Sequence, residues 1–576
     1  MTRRRFRYGA LALLAACTPA PNGSPAGSNA TPYDLVISGG RIVDGTGNAW
    51  FYGDLAVRGD RIVRITPPGR LSQAAAKQRL DAAGLVVAPG FIDIQAQSVR
   101  EFTMGDGRVI SMVTQGVTTA IMGEGDSPAP LSAAGLEALK KRGGDDSLLA
   151  AQVGTKLLGA KGFGGWLDLM QAHGMSENAG SFLGAATVRT YVKGEAEGPS
   201  TPAEVDTMRA LVRTAMEDGA FGVGSALIYP PGAYASTEEL IELAKAASPF
   251  GGIYITHMRS EADRLLESID EAFRIGKEGG VPVEIYHLKA GGLRNHPKMA
   301  FAIAKIDSAR AAGADVGADM YLYTAGSSAL VSCAPPSAAA DGKLFDNLAD
   351  PAKRAKIKAD MLHPIAGSEN LCELSTPDGI QLGGFTVDSL KKWEGKRLAE
   401  VSKAMKLDWV DTWIALVRAQ HDIAGIWHQM AEANVAHQLT MPWIKIGTDA
   451  DGVDPDSMKG AMVHPRAYGN YPRLLGRYVR EQKVLTLEDA VRKATSAVAN
   501  RLSIRDRGVL REGAFADIVV FDPTTIIDRS TFEQPNQLSE GVRDVFVNGT
   551  AVLKDGKHTG AKPGQVVRGP GWTGWR

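Results

Sequence analysis

Two histidines close apolar runs of this chain: His257 in "YITHMRS" and His287 in "EIYHLKA". A histidine in such a place is either a hydrogen-bonded core residue or a ligand, and imidazole nitrogen is a donor suited to zinc. Glu124 sits between glycines in "VTTAIMGEGD", either as a solvated loop acid or as a further donor, with Asp126 two residues on. Asp449, in "IKIGTDADG", is an acid at the end of another apolar run, with Asp451 as its competitor. Such a carboxylate caps a helix, or it takes and returns protons as a general base and acid. The segment "GFIDIQAQS" is of another kind. Alternate residues of a strand share a face, so Gln95 and Gln97 point the same way. Amide oxygens are weak zinc donors beside imidazole, which leaves this pair to hydrogen-bond a substrate or a water. Lys289 lies two residues past His287 and shares its face by the same rule.

Residues so far apart in sequence need a fold that gathers them. Eight apolar runs ending in polar residues recur, separated by helical stretches: "GFIDIQAQS", "VTTAIMGEGD", "SFLGAATVR", "FGVGSALIY", "GIYITHMRS", "VPVEIYHLKA", "ADVGADMYLY" and "WIKIGTDADG". This is the pattern of βα units and a parallel sheet. It predicts an α/β protein, a (β/α)8 barrel over about 90–500, with its chemistry at the C-terminal strand ends. One helix, "STEELIELAKAA", offers Ser236 or Thr237 as its cap. The gap between the seventh and eighth runs, about 325–440, is too long for a loop and predicts an inserted, mainly helical subdomain over the barrel mouth. Short β-rich runs flank the middle, "YDLVISGGRIVDGTGN" and "GDLAVRGDRIVRI" before it, "DRGVLREGAFADIVVFDP" and "VRDVFVNGTAVLKDGK" after it. They predict one small β-sandwich domain built from both chain ends, 33–89 and 501–576.

A hydrophobic share of 44% and a charged share of 22% suit a soluble globular chain of 576 residues. The 64 Lys and Arg balance the 64 Asp and Glu, so no overall field draws this chain to nucleic acid. Residues 1–17, "MTRRRFRYGALALLAAC", combine a basic start with an apolar stretch too short to span a bilayer, as in an export signal. "TRRRF" resembles a twin-arginine signal, and "LAAC" resembles a lipoprotein box in which Cys17 is lipidated. Residues 18–32, rich in Pro, Gly, Ser and Ala, read as a disordered tether. Together they predict a protein anchored by lipid on the periplasmic side of a membrane. Only Cys333 and Cys372 remain. Export permits a disulfide, but nothing in the sequence brings them together, and they read as two free, partly buried thiols.

The segments "VAPGFID", "QGVTTAIMGEG", "LIYPPGAYASTEEL", "YITHMRSEADRLLESIDEA", "HLKAGG", "IGTDADG", "HPRAYGNYPRLLGRYVRE" and "REGAFADIVVFDP" lie in order between residues 87 and 523, within a likeness that runs from about residue 33 to 560. In this order they resemble the N-acyl-D-amino-acid deacylase (D-aminoacylase) branch of the amidohydrolase superfamily. The resemblance implies a barrel with a small β-sandwich and metal-dependent hydrolysis of a linear amide, an N-acyl-D-amino acid or a peptide with such an end. It implies that His257 and His287 ligate the metal and that Asp449 is the general base. Much of the family has a cysteine near Glu124 for its tightly bound metal. This chain has none, and Glu124 is the best-placed substitute, with Asp126 as fallback. Lys289, Tyr321 in "DMYLYT" and Arg466 in "HPRAYG" match positions that hold the substrate carboxylate; Tyr323 faces the same way as Tyr321 and rivals it. Gln95 and Gln97 stand where first-strand histidines complete a two-metal centre, so the expectation is one Zn2+ per chain. The partner is then a small-molecule substrate, with no nucleic acid and no membrane contact beyond the N-terminal anchor. Alternatives are a related enzyme acting on a cyclic amide, lactone or dipeptide, and a surface-tethered binding protein without catalysis.

Overall fold

The computed structural model describes residues 32–575 except 143, 364–368 and 459. The expected export signal, Cys17 and all but the last residue of the expected tether lie outside the described residues.

Eight strand positions run in parallel around a closed barrel. In chain order they are Phe91–Asp93, Val117–Met122, Asn178–Ser181 continued by Leu183–Gly184, Gly222–Ala226, Ile253–His257, Val283–Ile285, Val316–Met320 and Ile444–Ile446. Each pairs in parallel with the next. The ring closes just above the eighth and first strands: Ala96 bridges Ala450, and Asp449 N donates to Gln95 O at 2.7 Å. Nearly every strand residue is buried, because the barrel interior covers one face and the helices the other, which is why the strands read as continuous apolar runs. The third run ends sooner than its apolar character suggests: Ala185–Lys193 is helix, led in by Gly184. Ser236, not Thr237, caps the helix Thr237–Ala247 and accepts from Glu239 N at 3.1 Å.

Strands from both ends of the chain join in one nine-stranded sheet. Tyr33–Ile42, Phe51–Arg58, Arg61–Thr66, Ala76–Asp81 and Val86–Pro89 come from the first flank, and Ile518–Phe521, Val542–Val547, Thr550–Lys554 and Lys557–His558 from the second. The seam is the antiparallel pairing of Val86–Pro89 with Ile518–Phe521.

Between the seventh and eighth barrel strands lies a unit with its own core, running from Leu330 to Trp427. It carries helices such as Pro351–Leu362, Leu371–Gly379 and Trp409–Ala419, and a three-stranded antiparallel sheet of Gly326–Ala329, Ala424–Trp427 and Ile380–Gly383. The helix that follows, Glu432–Leu439, turns Val435 and Leu439 into the barrel core instead. Cys333 and Cys372 are both fully buried here and form a disulfide, which corrects the reading of two free thiols. The short helical turn Leu330–Cys333 and the helix beginning at Leu371 meet in one core, bringing the two Cα atoms to 5.4 Å across 39 residues of sequence. Among the described residues no helix is long and apolar enough to cross a membrane.

Candidate metal and catalytic site

Gln97, Glu124, His257, His287, Lys289, Tyr321, Asp449 and Arg466 meet at the C-terminal mouth of the barrel, around a cavity of about 550 Å³. Glu124 follows the second strand, held by glycines on either side. Gly123 and Gly125 have φ of +101° and +77°, and a Cβ on either would collide with Phe182 O or Ala226. Only glycine takes both the left-handed backbone and the close approach. His257 ends the fifth strand, and His287 lies two residues beyond the sixth. His287 itself has a φ of +33°, a strained setting for a residue with a side chain, and Asp319 steadies it by accepting from His287 N at 2.8 Å.

Glu124 Oε1 lies 3.0 Å from His257 Nδ1 and 2.9 Å from His287 Nε2. One donor atom from each of the three falls within 4.8 Å of the others, a spacing and donor set that suit a divalent metal. Asp126, the fallback, is exposed on the cavity wall. Burial opposes ionisation of Glu124, but the charge of His287 and the hydrogen bond from His257 outweigh it and hold the carboxyl well below its usual range. The other oxygen, Oε2, accepts from Gln95 Nε2 and Gln97 Nε2, each at 2.7 Å. The glutamine amides expected to meet substrate or water therefore face Glu124.

Asp449 follows the eighth strand with a φ of +51°. Its Oδ1 is 3.3 Å from Gln97 Nε2, and its Oδ2 pairs with Arg466 at 2.8 Å. Burial raises its pKa above the ordinary aspartate value, and the Arg466 guanidinium works against that rise. Asp451 also lines the cavity. The Arg466 guanidinium stacks 4.5 Å from the centre of the Tyr321 ring, and its buried Nε has no hydrogen-bond partner among the described residues. Burial keeps the Tyr321 phenol well above its ordinary pKa, so it stays a hydroxyl. Tyr323 does not reach this cavity. Its hydroxyl donates to Asp528 at 3.0 Å, and its ring meets Arg473.

Sequence reasoning missed three supporting acids. Glu261, four residues past His257 and off the strand, accepts from Lys289 Nζ at 2.8 Å with both oxygens. It also lies 2.9 Å from His287 Nδ1 and 3.5 Å from His257 Nε2, on the side of each ring away from Glu124. Lys289 thus sits in the cavity as expected, but as part of an ion pair. Burial opposes ionisation of Glu261, and His257, Lys289 and His287 overcome it, so its pKa is low. Glu369, from the inserted unit, accepts from Glu261 N, Ala262 N and the Ser260 hydroxyl. Asp93 accepts from Gln95 N at 3.0 Å, from Thr448 N at 2.9 Å and from the Thr448 hydroxyl, sewing the first strand to the eighth. The sequence signal for Asp93 and Glu261 is a charged residue at or just past a strand, and for Glu369 a charged residue before a helix, both common on any surface.

The model of the amidohydrolase family matches residues 398–553. The chain is 34% identical to a D-aminoacylase of Alcaligenes xylosoxydans xylosoxydans over 544 residues, 94% of this chain and 98% of that protein. Among solved structures it is similar to a D-aminoacylase with a binuclear metal centre, at a TM-score of 0.76 and 31% identity, covering 93% of this chain and 100% of the other. It is likewise similar to the N-acyl-D-glutamate deacylase of Bordetella bronchiseptica, solved with zinc and a phosphonate that mimics the tetrahedral intermediate, at a TM-score of 0.75 and 29% identity, with the same coverage.

Proposed function

Because this chain belongs to the D-aminoacylase family of the amidohydrolases, we propose that it hydrolyses N-acyl-D-amino acids to a carboxylate and a free amino acid, using one zinc ion held by Glu124, His257 and His287. The observation that carries this reading is a single amide: Gln97 Nε2 lies 2.7 Å from Glu124 and 3.3 Å from Asp449, so the donor cluster and the acid stand side by side at one cavity wall.

When bound, the metal supplies positive charge that polarises the amide carbonyl and makes water acidic enough to lose a proton near neutral pH. The protein's residues do the rest. Asp449 takes the proton of the attacking water and hands it to the departing nitrogen as the carbon–nitrogen bond breaks. Arg466, through the Nε that has no partner among the described residues, and the Tyr321 hydroxyl receive the substrate α-carboxylate, with the Lys289 ammonium adding charge from its pair with Glu261. Anchoring that carboxylate sets the amide over the donor cluster and beside Asp449, which converts binding into orientation.

The test is turnover of N-acetyl-D- and N-acetyl-L-amino acids by zinc-loaded protein, with Asp449→Asn alongside. Asparagine tolerates the left-handed backbone here, so the variant removes the base, and with it the ion pair to Arg466, without straining the turn. The expected result is hydrolysis of D substrates, reduced roughly a hundredfold or more by the substitution. Hydrolysis undiminished in Asp449→Asn removes the proposed base. The N-terminal sequence supports export and lipid attachment at Cys17. Membrane fractionation tests this: wild type should pellet and Cys17→Ser should not, and wild type fractionating with cytoplasmic markers would refute it.

A further inference from the structure

Gln95 and Gln97 take no part in the reaction as written above, yet each puts an amide nitrogen 2.7 Å from the same oxygen of Glu124. We infer that they are positioning residues that restrict Glu124 to a single-oxygen donor toward His257 and His287, an inference that rests on the metal site proposed above.

A carboxylate only accepts hydrogen bonds, so the NH2 end of each amide must face it. Gln95 commits to this orientation at a cost. Its own amide oxygen is buried without a hydrogen-bond partner among the described residues. Its direction is set from below as well. Asp93 holds Gln95 N and Thr448, and Gly447 lies so close that a Cβ there would come within 3.0 Å of Gln95 Cβ. Gln97, two residues on, shares the face and is only half-buried, and it reaches the same oxygen from the cavity side.

The consequence is a division of labour between the two oxygens of one carboxylate. Two amide donors fill Oε2, while Oε1 lies within 3.0 Å of both histidine nitrogens. Free rotation of Glu124 would break two hydrogen bonds in a buried place, so the carboxylate is set before any metal arrives. Partners that orient a ligand in this way are commonly worth about ten- to a hundredfold in metal affinity. Because Gln97 Nε2 also contacts Asp449 Oδ1, the same amide sets the spacing between ligand and base.

The experiment uses full-length protein carrying Gln95→Met, Gln97→Met or both, which keep the side-chain length and remove the donors. Zn2+ and Co2+ dissociation constants are measured by competition with a chromophoric chelator, with thermal unfolding of the metal-free proteins as control. X-ray absorption of the Co2+ forms counts the oxygen ligands. The expectation is an affinity loss of about tenfold for each single change and about a hundredfold for the pair, with unfolding temperatures unchanged and one additional oxygen at Co2+ in the double variant as Oε2 comes free. Gln95 is the more buried residue; if its variant does not fold, Gln97→Met alone decides. Unchanged affinity in a folded variant, or a loss that only follows a lower unfolding temperature, overturns the inference. Wild-type protein that takes up neither metal fails the parent site instead, which separates the two failures.

Discussion

At Asp449 two effects oppose each other. Burial disfavours the carboxylate, Arg466 at 2.8 Å favours it, and the balance leaves its pKa above the ordinary aspartate value. A general base must be ionised, so kcat/KM should fall on the acid side as pH drops through this raised pKa. Arg466→Met removes an influence that lowers the pKa. The pKa therefore rises further, and the acid limb of the pH profile moves to higher pH, besides the loss of substrate binding. A limb that stays in place would mean that Asp449 is not the group being titrated. The strand-end residues His257, His287, Gln95 and Asp449 could be picked out in the sequence because each interrupts or closes an apolar run. Glu261 and Asp93 could not, since a loop acid looks alike whether it faces solvent or holds a histidine, and a strand acid whether it faces solvent or ties two strands together.

The barrel strands were legible for a physical reason: strands buried on both faces have no polar alternation, and eight such runs stand out. The same lack of alternation hid the end of the third strand, where apolar Ala185 and Ala186 open a helix. The disulfide was illegible because its two elements meet only through the packing of the inserted unit. That unit touches the site through Glu369, three residues before Cys372, which accepts from the backbone at Glu261 and Ala262. Closing a segment of this length stabilises by about 2–4 kcal/mol in the chain-entropy view. Cys333→Ala with Cys372→Ala should therefore speed limited proteolysis within 330–427 while the barrel stays resistant. Equal cleavage rates with and without the disulfide would show that it carries no such load.

Across the whole cavity, acids outnumber cations. Among the described residues, Glu124, Asp126, Glu261, Asp422, Asp449 and Asp451 line it with the basic side chains of Lys289 and Arg466 against them, both already in ion pairs. The remaining wall is apolar at Ile228, Ile426, Trp427, Met462 and Val463. Among the described residues lining the cavity, a substrate with a second carboxylate finds no lysine or arginine outside an ion pair, whereas an aliphatic side chain finds a matching wall. N-acetyl-D-leucine should thus exceed N-acetyl-D-glutamate in kcat/KM by roughly tenfold or more, within the range that pocket contacts supply. A preference for the glutamate derivative would refute this reading of the wall. The most direct test of the site itself is a titration of metal-free protein with zinc, reading deacylation of an N-acetyl-D-amino acid against zinc per chain. One ion at Glu124, His257 and His287 predicts a linear rise that levels off at one equivalent. No activity at any loading, or activity that begins only as a second equivalent binds, would contradict it.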